Sequence, residues 1–174
     1  MALTRRNGFF IRQATAKDRE VLTTLMLDFW QFNRAHYSRV HDGTALKAYR
    51  QHLEESLQEV IRQDEMWIVE GQSTKDVAGY ARTRLFQPPP YEDNGAEPVG
   101  IIDEIFILPS HRGQDLGKTF LRFLIRTLKE KGAVHIRLAS YSWNTGANQL
   151  YQNLGFKVFA YSWEWEGNNT PPEK

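Results

Sequence analysis

The fold of this protein is decided by the stretch IFILPSHRGQDLGK, residues 105–118. Its apolar beginning completes a predicted strand over residues 98–108, and the proline and glycines that follow predict a tight loop. From Phe120 to Leu128 apolar residues recur at spacings of three and four, which predicts a helix with one buried face. Amides at the start of such a helix point the same way and carry the positive end of the helix dipole. The stretch therefore predicts an anion site between a strand and a helix.

The loop itself has features that suit a pyrophosphate. Gly113 and Gly117 let the backbone approach an anion closely, and Arg112 and Lys118 contribute positive charge. A glycine-containing loop before a helix is also an ordinary connection, and the loop alone supports the two interpretations equally. The choice depends on what lies elsewhere in the chain.

Outward from the loop, the apolar pattern predicts the element order β-α-α-β-β-β-α-β-α-β. The first helix begins near Thr15, because a Thr followed three residues later by Asp18 resembles a capping box. The other predicted elements are strands at 9–11, 66–70 and 77–86, a helix at 45–62, a strand at 134–139, a short helix at 147–154 and a closing strand at 156–165. This order predicts an α/β (α+β) fold, in which helices cover the faces of a mixed sheet.

Length and composition limit the kinds of protein to consider. The 174 residues fit one domain over 1–174, with a core of about 9–166 and a polar tail, 167–174, that is expected to fray. A net charge of +1 favours neither nucleic acid nor an anionic membrane as a partner. The absence of cysteine excludes a thiolate metal site and is compatible with the cytoplasm. No His, Asp or Glu cluster has metal-ligand spacing, so no metal is expected.

A second motif favours the interpretation of the loop as an anion site. The stretch NTGANQLYQNLGF, residues 144–156, follows a predicted strand and opens a short helix. The two motifs together closely resemble those of the GCN5-related N-acetyltransferases, the GNAT superfamily. The resemblance is strong over residues 101–165 and rests on element order alone in the N-terminal half. It is carried by Arg112-x-x-x-x-Gly117 and Asn144-x-x-Ala147-x-x-x-Tyr151-x-x-x-Gly155-Phe156.

The resemblance implies a GNAT-like fold with a mostly antiparallel sheet and acetyl-CoA as the co-substrate. It implies that Asn144, on a neighbouring strand, contacts the pantetheine region and that Ala147 packs beside it. It gives Tyr151 the role of the acid that protonates the leaving thiolate, although an aromatic residue on such a helix is also an ordinary core residue. The main chain of Ile105, Phe106 and Ile107 would face the pantetheine arm. The pyrophosphate would be held by the amides of Gly113, Gln114, Asp115, Leu116, Gly117 and Lys118.

Asp115 departs from the family pattern, which has glycine at that position. A carboxylate close to a pyrophosphate is electrostatically unfavourable unless its side chain turns away. It would do so if Asp115 capped the following helix, and Asp adopts left-handed backbone geometry more readily than most residues. The substitution therefore bears on coenzyme affinity more than on fold.

The general base is a carboxylate in the sequence-based interpretation. Asp103 and Glu104 precede the coenzyme-binding strand, and strict alternation predicts that they face opposite sides of the sheet. The segment resembles the corresponding strand of polyamine-type acetyltransferases, in which Asp103 matches the position of the base. For Glu104 a structural hydrogen bond and a catalytic role are equally supported. His36, His41 and His52 lie in the region that shapes the acceptor site in this superfamily and are not assigned a role.

The sequence thus predicts an N-acetyltransferase that passes an acetyl group from acetyl-CoA to a primary amine of a small molecule or a protein in a ternary complex. The alternative is an acyl-CoA-binding regulatory module that has lost transfer, which Asp115 favours and Tyr151 disfavours. The loop at Tyr91-Glu92-Asp93 is either a contact for a cationic acceptor or a solvated connection. Two explanations stay open for the C-terminal segment that contains Trp163 and Trp165. It is either part of a homodimer interface or an edge strand with buried aromatic residues.

Overall fold

A computed structural model describes residues 4–6, 8–36, 43–63, 65–72, 76–91, 95–113 and 115–165. The chain divides into two compact units, Met1–Tyr141 and Ser142–Lys174. Each unit is described by itself below. The interpretation of 1–174 as a single domain stays a prediction.

The strands and helices of the first unit follow the predicted order, with one additional short strand at the start. The strands are β1 (Thr4–Arg6), β2 (Phe9–Gln13), β3 (Met66–Gly71), β4 (Val77–Phe86), β5 (Val99–Ile107) and β6 (His135–Leu138). The helices are α1 (Arg19–Arg34), α2 (Gly43–Arg62) and α3 (Leu116–Glu130). Most predicted boundaries lie within two residues of those observed. The short strand β1 was not expected, because three polar residues carry no strand pattern.

The described strands form one sheet in the order β1-β2-β3-β4-β5-β6. All neighbours are antiparallel except β5 and β6, so the predicted mixed, mostly antiparallel sheet is confirmed. Every residue of β3 is buried, as expected for a central strand covered on both faces. On one face Phe29 and Phe32 of α1 pack against Phe106, and on the other Phe123 of α3 packs against Trp67.

The start of α1 is fixed by a buried carboxylate. Asp18 accepts hydrogen bonds from the Thr15 amide (2.7 Å) and hydroxyl (2.9 Å), as the capping pattern predicts. It also accepts from both terminal nitrogens of Arg12, whose Nε donates to Glu70. A short 3-10 turn at Ala16–Asp18 precedes the α-helix, which begins at Arg19 rather than directly after Thr15. The Arg12 network thereby joins the helix to β2 and β3.

The second unit contains the helix α4 (Thr145–Asn153), close to the predicted range 147–154. The predicted closing strand over 156–165 is wrong, because these residues form no strand in the structure. A strand needs a neighbour that completes its backbone hydrogen bonds, and the described part of this unit has no other strand. The aromatic residues that were expected to be buried in that strand are exposed, Trp163 by 89% and Trp165 by 67%.

Candidate functional site

A β-bulge brings two carboxylates to the same side of the sheet. Arg82 of β4 is the partner of Glu104 of β5, and the next residue, Thr83, is the partner of Ile102. Asp103 is therefore an extra residue with no partner of its own. Asp103 contacts Arg84, which shares a strand face with Arg82. The prediction that Asp103 and Glu104 face opposite sides is wrong, since the bulge interrupts the alternation on which it rested.

Glu104 is a half-buried carboxylate held by a tyrosine. The hydroxyl of Tyr80, a fully buried residue of β4, donates a 2.6 Å hydrogen bond to Glu104 Oε2. Burial raises the pKa of Glu104, and the nearby negative charge of Asp103 adds to this, while the Tyr80 hydrogen bond and the charge of Arg82 act in the opposite direction. Burial also raises the pKa of Tyr80 well above its ordinary value, so the phenol stays protonated. Glu104 is thus a carboxylate with a raised pKa, and it is held in position by a tyrosine hydroxyl that stays protonated.

Asp103 has a different environment. Both of its carboxylate oxygens accept from Arg84 Nε, at 3.3 and 3.0 Å, on the exposed surface. An exposed ion pair of this kind stabilises the chain by less than about 1 kcal/mol. The two acids named by the sequence therefore lie close together but differ in burial and in partner.

A cleft opens beside Glu104, between the helices α1 and α2 and the strands β4 and β5. It encloses about 390 Å³, part of it open to solvent. Its apolar wall comes from Met26 of α1 and from one face of α2. Its polar lining is Tyr49, His52, Ser56, Arg82 and Glu104. The volume comparable with measured cavities is about 100 Å³, which is small for a small-molecule site, and an ionisable group is at its edge.

Tyr49 forms one side of this cleft. Its ring stacks on Trp30 of α1, with centroids 5.6 Å apart and planes at 19°. Burial raises the pKa of Tyr49 to about 12, and the charge of Glu104 contributes to the increase. Its hydroxyl therefore remains protonated at neutral pH.

The second half of β5 has one free edge in the described part of the chain. β6 pairs with β5 only from Val99 to Ile102, whereas β4 pairs with β5 as far as Ile107. From Glu104 to Ile107 the main-chain groups on the β6 side therefore have no described strand partner. Of the three residues that the resemblance assigns to the pantetheine arm, Ile105 and Ile107 turn their main-chain groups to this edge, whereas Phe106 turns its groups to β4. The Ile107 carbonyl accepts a hydrogen bond from Arg112 Nε. An open strand edge is suited to hydrogen bonding with an extended amide-containing chain.

The loop before α3 contains two described residues with left-handed backbone geometry. Asp115 adopts left-handed geometry, with φ 57°, and Gly113 has φ 80°. The first backbone bond of α3 runs from the Thr119 amide to the Asp115 carbonyl, so the amides of 116–118 precede the helical ladder. The Asp115 side chain makes no cap hydrogen bond, which contradicts the capping expectation, while the left-handed conformation is confirmed. Gln114 lies outside the described residues.

Arg112 holds the loop against the helical layer. Its guanidinium lies 4.9 Å from the ring centroid of Phe32 and 5.7 Å from that of Phe106. Its Nε donates to the Ile107 carbonyl at 3.0 Å. Cation–π contacts of this kind are worth about 0.5–2 kcal/mol. Here the Arg112 guanidinium contacts α1 and β5, and a role in holding pyrophosphate stays a prediction.

In the second unit, Asn144 and Tyr151 lie at opposite ends of α4. Asn144 is the N-cap, and its Oδ1 accepts from the Ala147 amide at 3.4 Å. It lies in the turn before the helix, so its placement on a strand is wrong. Tyr151 is half-buried, and its ring meets Phe156 edge-on at 6.1 Å. Burial raises the pKa of the Tyr151 phenol, so the hydroxyl keeps its proton across the neutral range.

Sequence reasoning missed Tyr80, Arg82 and Tyr49, because each lies in an ordinary strand or helix pattern with no local motif. The one usable signal was arginine within a strand that begins with apolar residues, since arginine is unusual in a central strand. Among the histidines, His52 lines the cleft and His36 is exposed, while His41 lies outside the described residues. Tyr91 is 87% exposed, and Glu92 and Asp93 also lie outside the described range.

Comparison with known proteins places the chain in a family. The model of the Acetyltransferase (GNAT) family matches residues 22–156. The chain therefore belongs to this family of acetyltransferases, and the resemblance found in the two motifs is confirmed.

Curated relatives match a shorter stretch. The mouse protein named thialysine N-epsilon-acetyltransferase is 31% identical over 64 residues, which are 37% of this chain and 38% of that protein. The protein of the same name from Bos taurus is 30% identical over the same length. The chain thus matches less than two fifths of the length of these relatives.

Solved structures share the fold across nearly the whole chain. A predicted acetyltransferase of Clostridium acetobutylicum, described with acetyl-CoA, has a TM-score of 0.68 at 16% identity and covers 91% of this chain and 96% of its own. A GCN5-related N-acetyltransferase of Ralstonia eutropha has a TM-score of 0.71 at 15% identity, covering 92% and 100%. A transcriptional regulator of Bacillus halodurans has a TM-score of 0.68 at 18% identity, covering 95% and 99%. These similarities show a common fold.

The described residues contain no group of three or more His, Asp or Glu side chains arranged to hold a metal ion. None of their helices is both long and apolar enough to cross a membrane.

Proposed function

We propose that this protein transfers the acetyl group of acetyl-CoA to a primary amine by direct attack, with Glu104 as the general base and Tyr151 as the general acid. The observation that carries the proposal is the half-buried Glu104 at the edge of a cleft, on the strand whose second half has an open edge. Family membership supplies the class of reaction.

The residues of the first unit fit the coenzyme by type and by backbone geometry. The open edge of β5 offers amide and carbonyl groups to a pantetheine arm, and the uncapped amides at the start of α3 offer donors to a pyrophosphate. A side chain at Gly113 would meet no other atom within 4 Å, so an anion has room to approach there.

In the reaction the neutral amine attacks the thioester carbonyl, and a C–N bond forms as the C–S bond breaks. Glu104 accepts the proton that the amine loses, directly or through water. A raised pKa makes this carboxylate a stronger base than an exposed one, provided that the pH is high enough to keep it ionised. Tyr151 donates its proton to the leaving sulfur, a role supported by the family motif and by a phenol that stays protonated.

The choice of Glu104 over Asp103 rests on their surroundings. Asp103 is occupied by Arg84 at the surface, where solvent screens its charge, whereas Glu104 borders the cleft and has a positioned donor behind it. The sequence resemblance alone favoured Asp103.

The test is a thiol-release assay with acetyl-CoA and a varied set of primary amines, using the unmodified protein and the Glu104→Gln variant. We expect amine-dependent release of coenzyme A that falls by about 100-fold or more in the variant. Tight coenzyme binding without thiol release for any amine would overturn the proposal in favour of the binding-only module.

A further inference from the structure

We propose that the amine acceptor is a free amino acid, and that Arg82 binds its carboxylate while its amine faces Glu104. The inference rests on the proposed transfer reaction and adds the chemical class of the acceptor. It depends on the groups that line the cleft between α1, α2, β4 and β5.

Arg82 lines this cleft, and one of its donors is unused within the described residues. Its Nε is buried, and no described residue accepts a hydrogen bond from it. Buried polar nitrogen atoms are nearly always hydrogen-bonded, because leaving one unpaired costs about 1–3 kcal/mol. Because Arg82 lines the cleft, its guanidinium is available to a carboxylate or carbonyl group of a bound molecule.

Two other arginines of the sheet have carboxylates as partners. Arg84, two positions along the same strand, is bonded to both oxygens of Asp103. Arg12 is bonded to Asp18 and to Glu70. Both are matched with carboxylates supplied by the chain itself. Arg82 has no such match within the described residues.

Glu104 does not satisfy Arg82, even though the two are direct cross-strand partners. Its Oε2 accepts from Tyr80, and the ion pair described between these two strands joins Arg84 to Asp103. Arg82 lowers the pKa of Glu104 through its charge, so the two groups are close without being bonded. The cleft thus presents one cation and one anion side by side, since cross-strand partners have Cβ atoms about 5 Å apart.

This pairing selects the acceptor. A polyamine would bring further positive charge next to Arg82 and would leave its Nε unpaired. A simple amine would satisfy Glu104 alone. An amino acid satisfies both groups, because a carboxylate matches the planar donors of a guanidinium and an amine matches a carboxylate.

The remaining lining of the cleft is largely apolar. Leu53 and Leu57 of α2, together with Met26 of α1, form an apolar wall. Methylene or methyl groups of an amino acid side chain would pack there. Electrostatic complementarity at the polar end then supplies the selectivity against other amines.

The test compares amino acids with their decarboxylated counterparts as acceptors. Suitable pairs are lysine and 1,5-diaminopentane, alanine and ethylamine, and phenylalanine and 2-phenylethylamine, with lysinamide as a further analogue that lacks only the negative charge. We expect kcat/KM for at least one amino acid to exceed that of its counterpart by about tenfold or more. If no amino acid exceeds its decarboxylated counterpart, the inference is wrong.

The Arg82→Gln variant tests the residue itself. It should lose the preference for the amino acid by about tenfold or more, mainly through KM, while the decarboxylated amine is still acetylated. The assay is run near pH 9, because loss of the Arg82 charge raises the pKa of Glu104. Arg84→Gln, on the same strand face, is the matched control and should keep the preference. An unchanged preference in Arg82→Gln would overturn the assignment.

Failure of the proposed transfer reaction and failure of the amino acid inference give different results. If no amine of any kind releases thiol, the transfer reaction itself is absent. If amines release thiol but carboxylates confer no advantage, transfer stands and only the amino acid class is wrong. Continued turnover of the decarboxylated amine by Arg82→Gln also shows that this variant folds.

Discussion

The hydroxyl of Tyr80 donates a 2.6 Å hydrogen bond to Oε2 of Glu104 across the strands β4 and β5. The two residues are linked electrostatically as well. Burial raises the pKa of both, while the hydrogen bond between them raises the pKa of Tyr80 and lowers that of the carboxylate. Tyr80 therefore controls how much of Glu104 is ionised at a given pH, and it does so from a position with no access to solvent.

Replacing Tyr80 by Phe removes that donor. The pKa of Glu104 should rise further, because the interaction that lowers it most is lost. A base must be ionised to act, so the fall in kcat on the acidic side should move to higher pH. The pH dependence of kcat measures this shift.

Tyr49→Phe is the control for that experiment, since Tyr49 lines the same cleft but makes no described hydrogen bond to Glu104. In the Tyr49→Phe variant, the pH at which kcat falls on the acidic side should not change, even if KM does. A shift of equal size in both variants would show that the phenols act through general packing rather than through the Tyr80 bond.

Glu104→Gln and Asp103→Asn should differ strongly. The first removes the proposed base and should lower kcat by about 100-fold or more, with loss of the acidic inflection. The second breaks an exposed ion pair with Arg84 and should change kcat by less than about fivefold. Steady-state kinetics across pH compare them, and a larger loss in Asp103→Asn would return the role of base to Asp103.

Tyr151→Phe should lower kcat while leaving the dissociation constant of acetyl-CoA nearly unchanged. The hydroxyl is the only group removed, and the ring contact with Phe156 is retained. Because burial raises the pKa of this phenol, the unmodified enzyme should lose no activity through Tyr151 ionisation below about pH 10. Calorimetric titration of coenzyme beside turnover separates the two effects, and an undiminished kcat would exclude the general-acid role.

Asp115→Gly should improve both stability and coenzyme affinity, or leave them equal. Asp115 has φ 57°, a region that glycine enters at lower energy, so a gain of roughly 0.5–1 kcal/mol in the free energy of unfolding is expected. Removing a negative charge beside the α3 amides should favour the pyrophosphate.

Asp115→Ala separates strain from charge at that position. It removes the carboxylate but keeps a Cβ in left-handed geometry, so affinity should improve without the gain in stability. A marked loss of affinity in both variants would show that the Asp115 carboxylate itself takes part in binding.

Asp18→Asn should destabilise the fold by roughly 2 kcal/mol at neutral pH, because it weakens the hydrogen bonds from Arg12 and Thr15 at the start of α1. The Arg12 hydrogen bonds, with those of Thr15, lower the pKa of Asp18 from 3.8 to about 2. This stabilisation is therefore complete above the unfolded value and is lost as the pH falls toward about 2. Urea unfolding at several pH values should show the two proteins converging in that range, and a constant difference would contradict the linkage.

Much of the fold was predictable because its signals are local. The periodicity of α3, the turn residues at Pro109 and Gly113, and the apolar run of β5 each depend on neighbours in sequence. The closing strand at 156–165 failed for the opposite reason, since a strand exists only where a second strand completes its hydrogen bonds.

The candidate site was predictable only in part. The sequence named Asp103 and Glu104, but a single extra residue in the β5 ladder reversed their expected orientation. Arg112 looked like an anion ligand, and the structure places its guanidinium over Phe32 and Phe106. Side chains of this length reach partners that sequence spacing does not reveal.

By itself, the sequence determined the family, the order of the helices and strands, and the loop and helix of the first motif. These features depend on backbone preference and motif spacing, which are properties of contiguous residues. The tertiary structure decided which carboxylate is half-buried and which is exposed. It also brought Tyr80, Arg82 and Tyr49 to one cleft from separate elements. The physical reason is that burial, pKa and unpaired donors depend on the surroundings that packing creates, and for Glu104 these surroundings come from α1, α2 and β4 together.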